Sequence, residues 1–326
     1  MKNVNLILGT MTFGESVFSP EVGNFINAFL DAGYDELDTA YVYNDGDCER
    51  LLGEVLPNLD RPYRIATKVN PRISGKLDAD AAYKQVNESL ERMRIPSVDT
   101  VFLHFPDPAT PVESVLGAMA DLHDQGKFRE LGLSNFPAWM VADVWHICDK
   151  NGWVKPTVFE GIYNPLTRKA ETELNACLDA FGMRFSAYNP LCGGLLTGRY
   201  GRFEDAPDDG RFTHRPNYQK RYWKKSFFDA VDLIKNAAGK YGISPIEATY
   251  RWMVYHSMLN GERGDAVLIG ASKLSHLIQN METLKAGPLP EDVITAFEDA
   301  WLIAKGDSPE YFTLYKGKGS VGGEKK

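Results

Sequence analysis

Eight short apolar runs, each followed by a longer stretch of helical period, constrain this 326-residue chain more than any other feature. The runs fall at 6–10, 35–39, 64–69, 99–103, 129–133, 157–160, 184–188 and 266–270. Helical patterns occupy 21–32, 48–56, 80–94, 112–126, 138–150, 168–181 and 244–258, with more after the last run. The runs are continuously apolar rather than alternating, as in Val101-Phe102-Leu103, which predicts parallel strands covered on both faces. Asp78 or Asp80 is placed to cap the helix at 80–94, and Pro111 to sit early in the next one. Eight strand–helix units in a chain of this length predict an α/β fold, the (β/α)8 TIM barrel.

A doubly wound sheet would announce a phosphate loop early, and nothing near the N-terminus does so. GKGSVG, at 317–322, matches GxGxxG but leaves no room for the helix that must follow it. Asn87-Glu88-Ser89 matches a glycosylation sequon within a predicted helix and carries no weight. Residues 1–315 are therefore expected to form a single barrel domain, with 316–326 a flexible tail. One region breaks the alternation: 189–225 is long and rich in glycine, arginine and aromatics, as expected of a segment that covers a ligand. A second addition, 291–315, is a helical pattern ending in DSPEYFTLY.

Apolar residues make up 44% of the chain, enough for one large core. The net charge of −8 argues against a nucleic-acid partner. Cys48, Cys148, Cys177 and Cys192 are scattered with no metal-ligand spacing, and are read as reduced thiols with no metal site. The N-terminal apolar run is too short for a signal peptide, and no stretch approaches the ~20 apolar residues of a membrane span. A cytoplasmic protein without a membrane partner is expected.

A barrel builds its active site at the C-terminal ends of its strands, and here those ends carry unusual residues. The second run ends in Asp38, with Tyr41 and Tyr43 just beyond. The third carries Lys68, the fourth ends in His104, the fifth in Ser134-Asn135, the sixth contributes Glu160, and the seventh ends in Tyr188. Each alone has a bland reading as packing or surface. Asp, Lys, His and Tyr converging on one barrel mouth is much harder to obtain as packing. Asp38 and Lys68, from adjacent strands, can satisfy one another as a buried ion pair. A fixed ammonium also stabilises a nearby phenolate, which is expected to lower a tyrosine pKa toward working pH and make it a general acid. Whether Tyr41 or Tyr43 takes that role is left open by position alone. A proton donor for a carbonyl oxygen is half of a carbonyl reduction. The hydride must come from a nicotinamide cofactor.

LGTMTFG, ELDTAYVYNDGDCERLLGEVL, IATKV, VDTVFLHFPDP, LGLSNF and AYNPLCGGLLTGRY together resemble the aldo-keto reductases over nearly the whole chain. TPVESVLGAMADLHDQGKFRELGLSNFPAWMVADV, FEGIYNPLTRKAETEL, RYWKK and GDAVLIGASKLSHLIQNM are most similar to the aflatoxin-aldehyde and succinic-semialdehyde reductase branch. The resemblance implies Asp38, Tyr43, Lys68 and His104 as the catalytic tetrad, with Tyr43 the proton donor and Tyr41 a packing residue. It also implies NADPH/NADP+ as cofactor. Ser134, Asn135 and Glu160 would hold the nicotinamide carboxamide, and Tyr188 would stack on its ring. Asn189, Pro190, Leu191, Gly193, Gly194, Leu196, Gly198 and Arg199 would line the pyrophosphate loop. Ser272, Lys273, Gln279 and Asn280 would meet the adenosine phosphate, and Tyr218 and Arg221 the substrate. A homodimer is the branch's oligomeric state.

Three positions depart from the branch. Glu160 stands where glutamine is usual. Lys273 and His276 occupy the 2′-phosphate region without the arginine many members use. Thr313 replaces an arginine that grips acidic substrates, so neutral aromatic or dicarbonyl substrates are expected to serve at least as well as succinic semialdehyde. The implied activity is NADPH-dependent reduction of aldehydes or reactive ketones. The alternatives are a pathway-specific sugar or alcohol oxidoreductase and a weakly catalytic regulator like the channel β-subunits, which carry Asn where this chain has His104.

Overall fold

The computed structural model describes residues 4–205 and 210–317. Eight parallel strands close into a barrel in chain order: β1 (Asn5–Gly9), β2 (Glu36–Asp38), β3 (Arg64–Val69), β4 (Val98–Leu103), β5 (Phe128–Ser134), β6 (Pro156–Ile162), β7 (Arg184–Tyr188) and β8 (Ala266–Ile269). β8 pairs with β1 through Asn5–Ala266 to Leu8–Ile269, which completes the ring. All eight expected strands are present, within a few residues of their predicted bounds.

The helices are α1 (Glu21–Asp31), α2 (Asp47–Val55), α3 (Pro71–Ser74), α4 (Ala79–Met93), α5 (Val112–Asp124), α6 (Ala138–Asn151), α7 (Leu174–Ala180), α8 (Arg211–His214), α9 (Pro216–Tyr222), α10 (Lys225–Gly239), α11 (Pro245–Tyr255), α12 (Leu274–Thr283) and α13 (Glu291–Ala304). Asp78 is the residue that caps α4, accepting from the Ala81 amide at 3.0 Å. Pro111 precedes α5 in an extended conformation instead of opening it. The single helix expected over 168–181 is broken into a short 3-10 turn, Lys169–Glu171, and α7. α10 was not anticipated. It buries Phe227, Phe228, Val231 and Ile234 on one face, a 3.6-residue stripe hidden in sequence by the aromatic and basic residues before it. The expected tail, from residue 318 onward, lies outside the described residues.

Strand parity decides which residues enter the barrel. Side chains two apart share a face, so Glu36 and Asp38, Ala66 and Lys68, Val158 and Glu160, and Ser186 and Tyr188 follow one another up the interior. The bottom layer is ionic: Arg184 grips Glu130 at 2.7 Å, and Arg64 reaches Glu36 at 2.9 Å. Above it Ala66, Phe102 and Val158 form one apolar cluster, and Ile7, Ala266 and Leu268 another. Gly132 leaves the space that Phe102 fills; a Cβ there would lie 2.3 Å from the ring. The apolar plug closes the barrel below and forces the remaining polar layer to the C-terminal mouth.

Candidate active site

Lys68 is 1% exposed at the mouth of the barrel. Its ammonium bonds to the Asp38 carboxylate, donates to the Thr39 carbonyl at 3.1 Å, and lies 3.4 Å from Glu160 and 3.5 Å from the Tyr43 hydroxyl. Burial alone would lower the Lys68 pKa; Asp38 and Glu160 outweigh it, and the pKa is raised. The amine therefore keeps its charge. Burial pushes the Glu160 carboxyl well above the usual range, aided by repulsion from Asp38 and opposed by Lys68. One ammonium cannot stabilise two buried carboxylates equally, and the Glu160 carboxyl holds its proton more tightly than an exposed one. A protonated carboxyl offers one donor and one acceptor, as a glutamine amide does.

Tyr43 is held by the loop that follows β2. Asn44 and Asp45 adopt left-handed backbone (φ 52° and 51°), and the Asn44 side chain donates to the carbonyls of Met11 and Phe13 at 3.1 and 2.8 Å. Tyr41 turns away from the mouth, its ring 4.6 Å from the Arg92 guanidinium of α4. The expected lowering of the tyrosine pKa is overturned. Burial first, then the charges of Asp38 and Glu160, push Tyr43 well above its ordinary value. The single ammonium does not offset two acidic neighbours in a dry site. Tyr43 thus holds its proton at neutral pH.

His104 follows β4 directly, its amide bonded to the Val69 carbonyl at 2.9 Å. Burial, Lys68 and Arg72 lower its pKa far below the usual imidazole value, so the ring is neutral. Asn70 sets the tautomer, a role the sequence reading missed. Its Oδ1 accepts from the Arg72 amide at 2.9 Å as the cap of α3, which turns Nδ2 toward His104 Nδ1, 3.1 Å away. Nδ1 must then accept, leaving the proton on Nε2. The sequence signal was Asn70-Pro71, a capping residue followed by proline at the first helical position.

The other expected residues divide into two groups. Ser134, Asn135, Glu160 and Tyr188 meet at the mouth: Tyr188 donates to Asn135 Oδ1 at 2.7 Å, and Asn135 donates to Ser134 Oγ at 2.9 Å and to the His104 carbonyl at 3.0 Å. Asn189 starts the next loop with φ 60°, its carbonyl held by Asn164 at 2.9 Å; Asn164 was not anticipated either. Cys192, Gly193, Gly194 and Gly198 also have positive φ. A Cβ on Gly194 would meet nothing within 4 Å, so backbone faces open space there, as a phosphate cradle requires. Gly193 instead packs under Tyr218 and Tyr222. Pro190 and Leu196 are buried, so neither offers a side chain to a ligand. Leu191 is half-buried, and Arg199 is exposed with its guanidinium against the Tyr200 ring.

Ser272 and Lys273 are exposed at the start of α12, with Gln279 further along and Asn280 buried. A helix N-terminus beside a lysine suits a phosphate. Tyr218 and Arg221 lie on α9, where the Tyr218 hydroxyl is 3.4 Å from Asn189 Oδ1. Just before α9, Arg215 bonds to Glu15 and Asn44 at 3.1 and 3.2 Å, drawing this segment across the mouth to the loops after β1 and β2. The residues present thus fit a dinucleotide lying from the tetrad to α12.

The sequence profile of the aldo/keto reductase family matches residues 5–302. The chain belongs to that family. It is 44% identical over 319 residues to human aflatoxin B1 aldehyde reductase member 2, covering 94% of this chain and 89% of that protein. Human aldo-keto reductase family 7 member A3 shows the same identity, with 96% of its length covered. An aldo-keto reductase of Pseudocercospora fijiensis is 38% identical over 289 residues, covering 86% of this chain and 97% of that protein. This aldo/keto reductase is an oxidoreductase acting on aldehyde or ketone groups. Among the described residues, none of its helices is long and apolar enough to cross a membrane. Its four cysteines are free thiols.

Proposed function

We propose that this reductase converts aldehydes or reactive ketones to alcohols with NADPH, Tyr43 giving the proton. The observation that carries this reading is the Lys68 ammonium, buried against Asp38 and 3.5 Å from the Tyr43 hydroxyl. The cofactor supplies hydride to the carbonyl carbon; Ser134, Asn135 and Glu160 would hold its amide end, Tyr188 its ring, and Ser272 and Lys273 its adenosine phosphate.

The chain's own groups handle the oxygen. His104 offers its Nε2 proton to the carbonyl, polarising it and orienting it toward Tyr43. As negative charge develops on that oxygen, Tyr43 donates its proton. The raised Tyr43 pKa does not forbid this, because an alkoxide is a stronger base than a phenolate. Lys68, itself 1% exposed, then stabilises the phenolate. Asp38 keeps Lys68 in place.

His104, its ring 6.4 Å from that of Tyr43, supports this reading over a weakly catalytic regulator. A panel of carbonyl compounds with NADPH, followed at the nicotinamide absorbance, tests it. Consumption of NADPH with aldehydes or dicarbonyls is expected. No consumption across the panel, with alcohol oxidation by NADP+ instead, would establish the biosynthetic alternative.

A further inference from the structure

Glu49 is a buried carboxylate that the mechanism above does not use. It lies on α2, fully enclosed, just beyond the loop that carries Tyr43. Its Oε1 accepts from the Thr67 hydroxyl at 2.7 Å, and its Oε2 accepts from Arg92 Nε at 2.6 Å. Taking a carboxylate out of water is costly, and these two contacts offset that cost. Both partners lead back to the tetrad. Thr67 precedes Lys68 on β3, so strand parity turns its side chain outward to Glu49 while Lys68 points into the barrel. Arg92, on α4, stacks its guanidinium on the Tyr41 ring with Cζ 4.6 Å from the centroid, and Tyr41 stands two residues before Tyr43.

The Tyr43 loop needs such a hold. Asn44, Asp45 and Gly46 are successive left-handed residues, with φ of 52°, 51° and 86°. Two of them are not glycine, so the backbone itself disfavours this path and packing has to impose it. On the inner side Asn44 does so through the Met11 and Phe13 carbonyls. On the outer side the task falls to Tyr41 and Arg92. A Cβ on Gly46 would lie 3.1 Å from the Tyr41 ring and 3.2 Å from Arg92 Cδ, so both side chains press directly on the turn. Arg92 is itself closely held: a Cβ on Gly53 of α2 would lie 2.3 Å from the Arg92 carbonyl oxygen. Its guanidinium also reaches Ser89 Oγ at 3.2 Å and Glu88 at 3.7 Å, but Glu88 is exposed and Glu49 is the sheltered carboxylate.

We propose that Glu49 is a positioning residue for proton transfer, setting the separation of the Lys68 ammonium and the Tyr43 hydroxyl from behind the barrel wall. One of its oxygens holds the strand that carries the ammonium. The other holds, through Arg92 and the Tyr41 ring, the loop that carries the phenol. This rests on the reductase reading above and makes Tyr41 a spacer, a part its ring performs without its hydroxyl. Rate is steeply sensitive to the placement of reacting groups, since a shift of about 1 Å can cost about a hundredfold. Glu49 is enclosed behind β3, so substrate and cofactor affinity should not register its loss.

The test uses the first compound of the carbonyl panel that the wild type reduces, with kcat and KM measured per NADPH-binding site. Glu49→Gln keeps the shape and an oxygen for Thr67, but turns a donor toward Arg92. Its kcat should fall at least fivefold, while KM and the NADPH dissociation constant stay within twofold of wild type. Tyr41→Leu should do the same, and Tyr41→Phe, which keeps the ring on Arg92, should restore kcat. Adding Glu49→Gln to Tyr41→Leu should cost less than a further twofold, since both break one chain of contacts. A role in folding alone predicts a lower Tm with kcat per site unaltered. That result, or two losses that multiply, overturns the proposal and leaves the reductase reading standing. If Glu49→Gln does not fold, the Tyr41 pair decides, and a kcat of Tyr41→Leu within twofold of Tyr41→Phe overturns the proposal. A wild type that reduces no compound of the panel overturns both.

Discussion

The Lys68 ammonium lies 3.5 Å from the Tyr43 hydroxyl while Asp38 holds its opposite side. Under the proposed mechanism that order, carboxylate to amine to phenol, gives each residue one task, and Tyr41 none of them. Tyr43→Phe is therefore expected to lower kcat by about two to four orders of magnitude, the usual worth of a positioned acid. NADPH binding, measured by fluorescence titration, should stay close to wild type. Tyr41→Phe should keep most of its activity, because that ring packs on Arg92. A fully active Tyr43→Phe enzyme would remove the proton donor from the mechanism.

Lys68→Met should behave almost as badly as Tyr43→Phe, since the nascent phenolate loses the ammonium 3.5 Å away. Residues that act as a unit are far from additive. The double variant should accordingly be little slower than either single one. Independent contributions, with the two losses multiplying, would show that the lysine works on something other than the phenol. Lys68→Met should also lose stability: stripping the cation from a buried pair costs roughly 3–5 kcal/mol. Chemical denaturation measures that loss separately from turnover.

Asn70→Ala tests the tautomer argument. Without the amide, nothing tells His104 which nitrogen to protonate, and part of the population presents an acceptor to the carbonyl. A fall in kcat/KM of about tenfold or more is expected. Nitrogen NMR of the imidazole should show Nε2 protonated in wild type and a tautomer mixture in the variant. Protonation at Nδ1 in wild type would reverse the donor assignment.

How much of this could be read from sequence follows from what depends on period and what depends on burial. The eight strands and the strand-end positions of Asp38, Lys68, Ser134 and Tyr188 follow from short apolar runs and their turns, and they are where expected. The pKa of Tyr43 was wrong in sign because it depends on how many charges share a dry volume. Glu160 counts there only once parity places it inside, at 3.4 Å from Lys68. Arg72 was invisible for a related reason. A basic residue after Asn-Pro reads as a solvated helix start, and only the stack on Phe105 reveals it as part of the mouth. α10 was lost because glycine-rich and aromatic residues run directly into it, blurring its start.

Glu160 gives a pH test with a definite sign. Its folded-state pKa is raised above the unfolded value of about 4.3. Stability is therefore fully present below that unfolded value and declines as pH rises toward the folded one. Glu160→Gln cannot ionise and escapes the decline. The Tm difference between Glu160→Gln and wild type should grow in favour of the variant from pH 4 upward, as calorimetry across that range would show. A difference that shrinks with rising pH would mean the carboxylate is stabilised in the fold, with Lys68 shared more evenly than the burial implies.

Under the proposed function, cofactor choice is expected to turn on Lys273 at the start of α12. An ammonium beside free helix amides pairs with a 2′-phosphate, while a 2′-hydroxyl gains little from the charge. Intrinsic-fluorescence titration should show tighter binding of NADPH than of NADH. Lys273→Ala should narrow that gap by about tenfold, the worth of one charge-assisted hydrogen bond. High salt should narrow it too, because the site is open to solvent. Arg221, set against Tyr218 and Tyr222 on α9 and not on α12, should leave the NADPH-to-NADH ratio unaltered when replaced by Met. Equal affinity of wild type for the two cofactors would assign the α12 terminus to the unphosphorylated ribose and make NADH the working reductant.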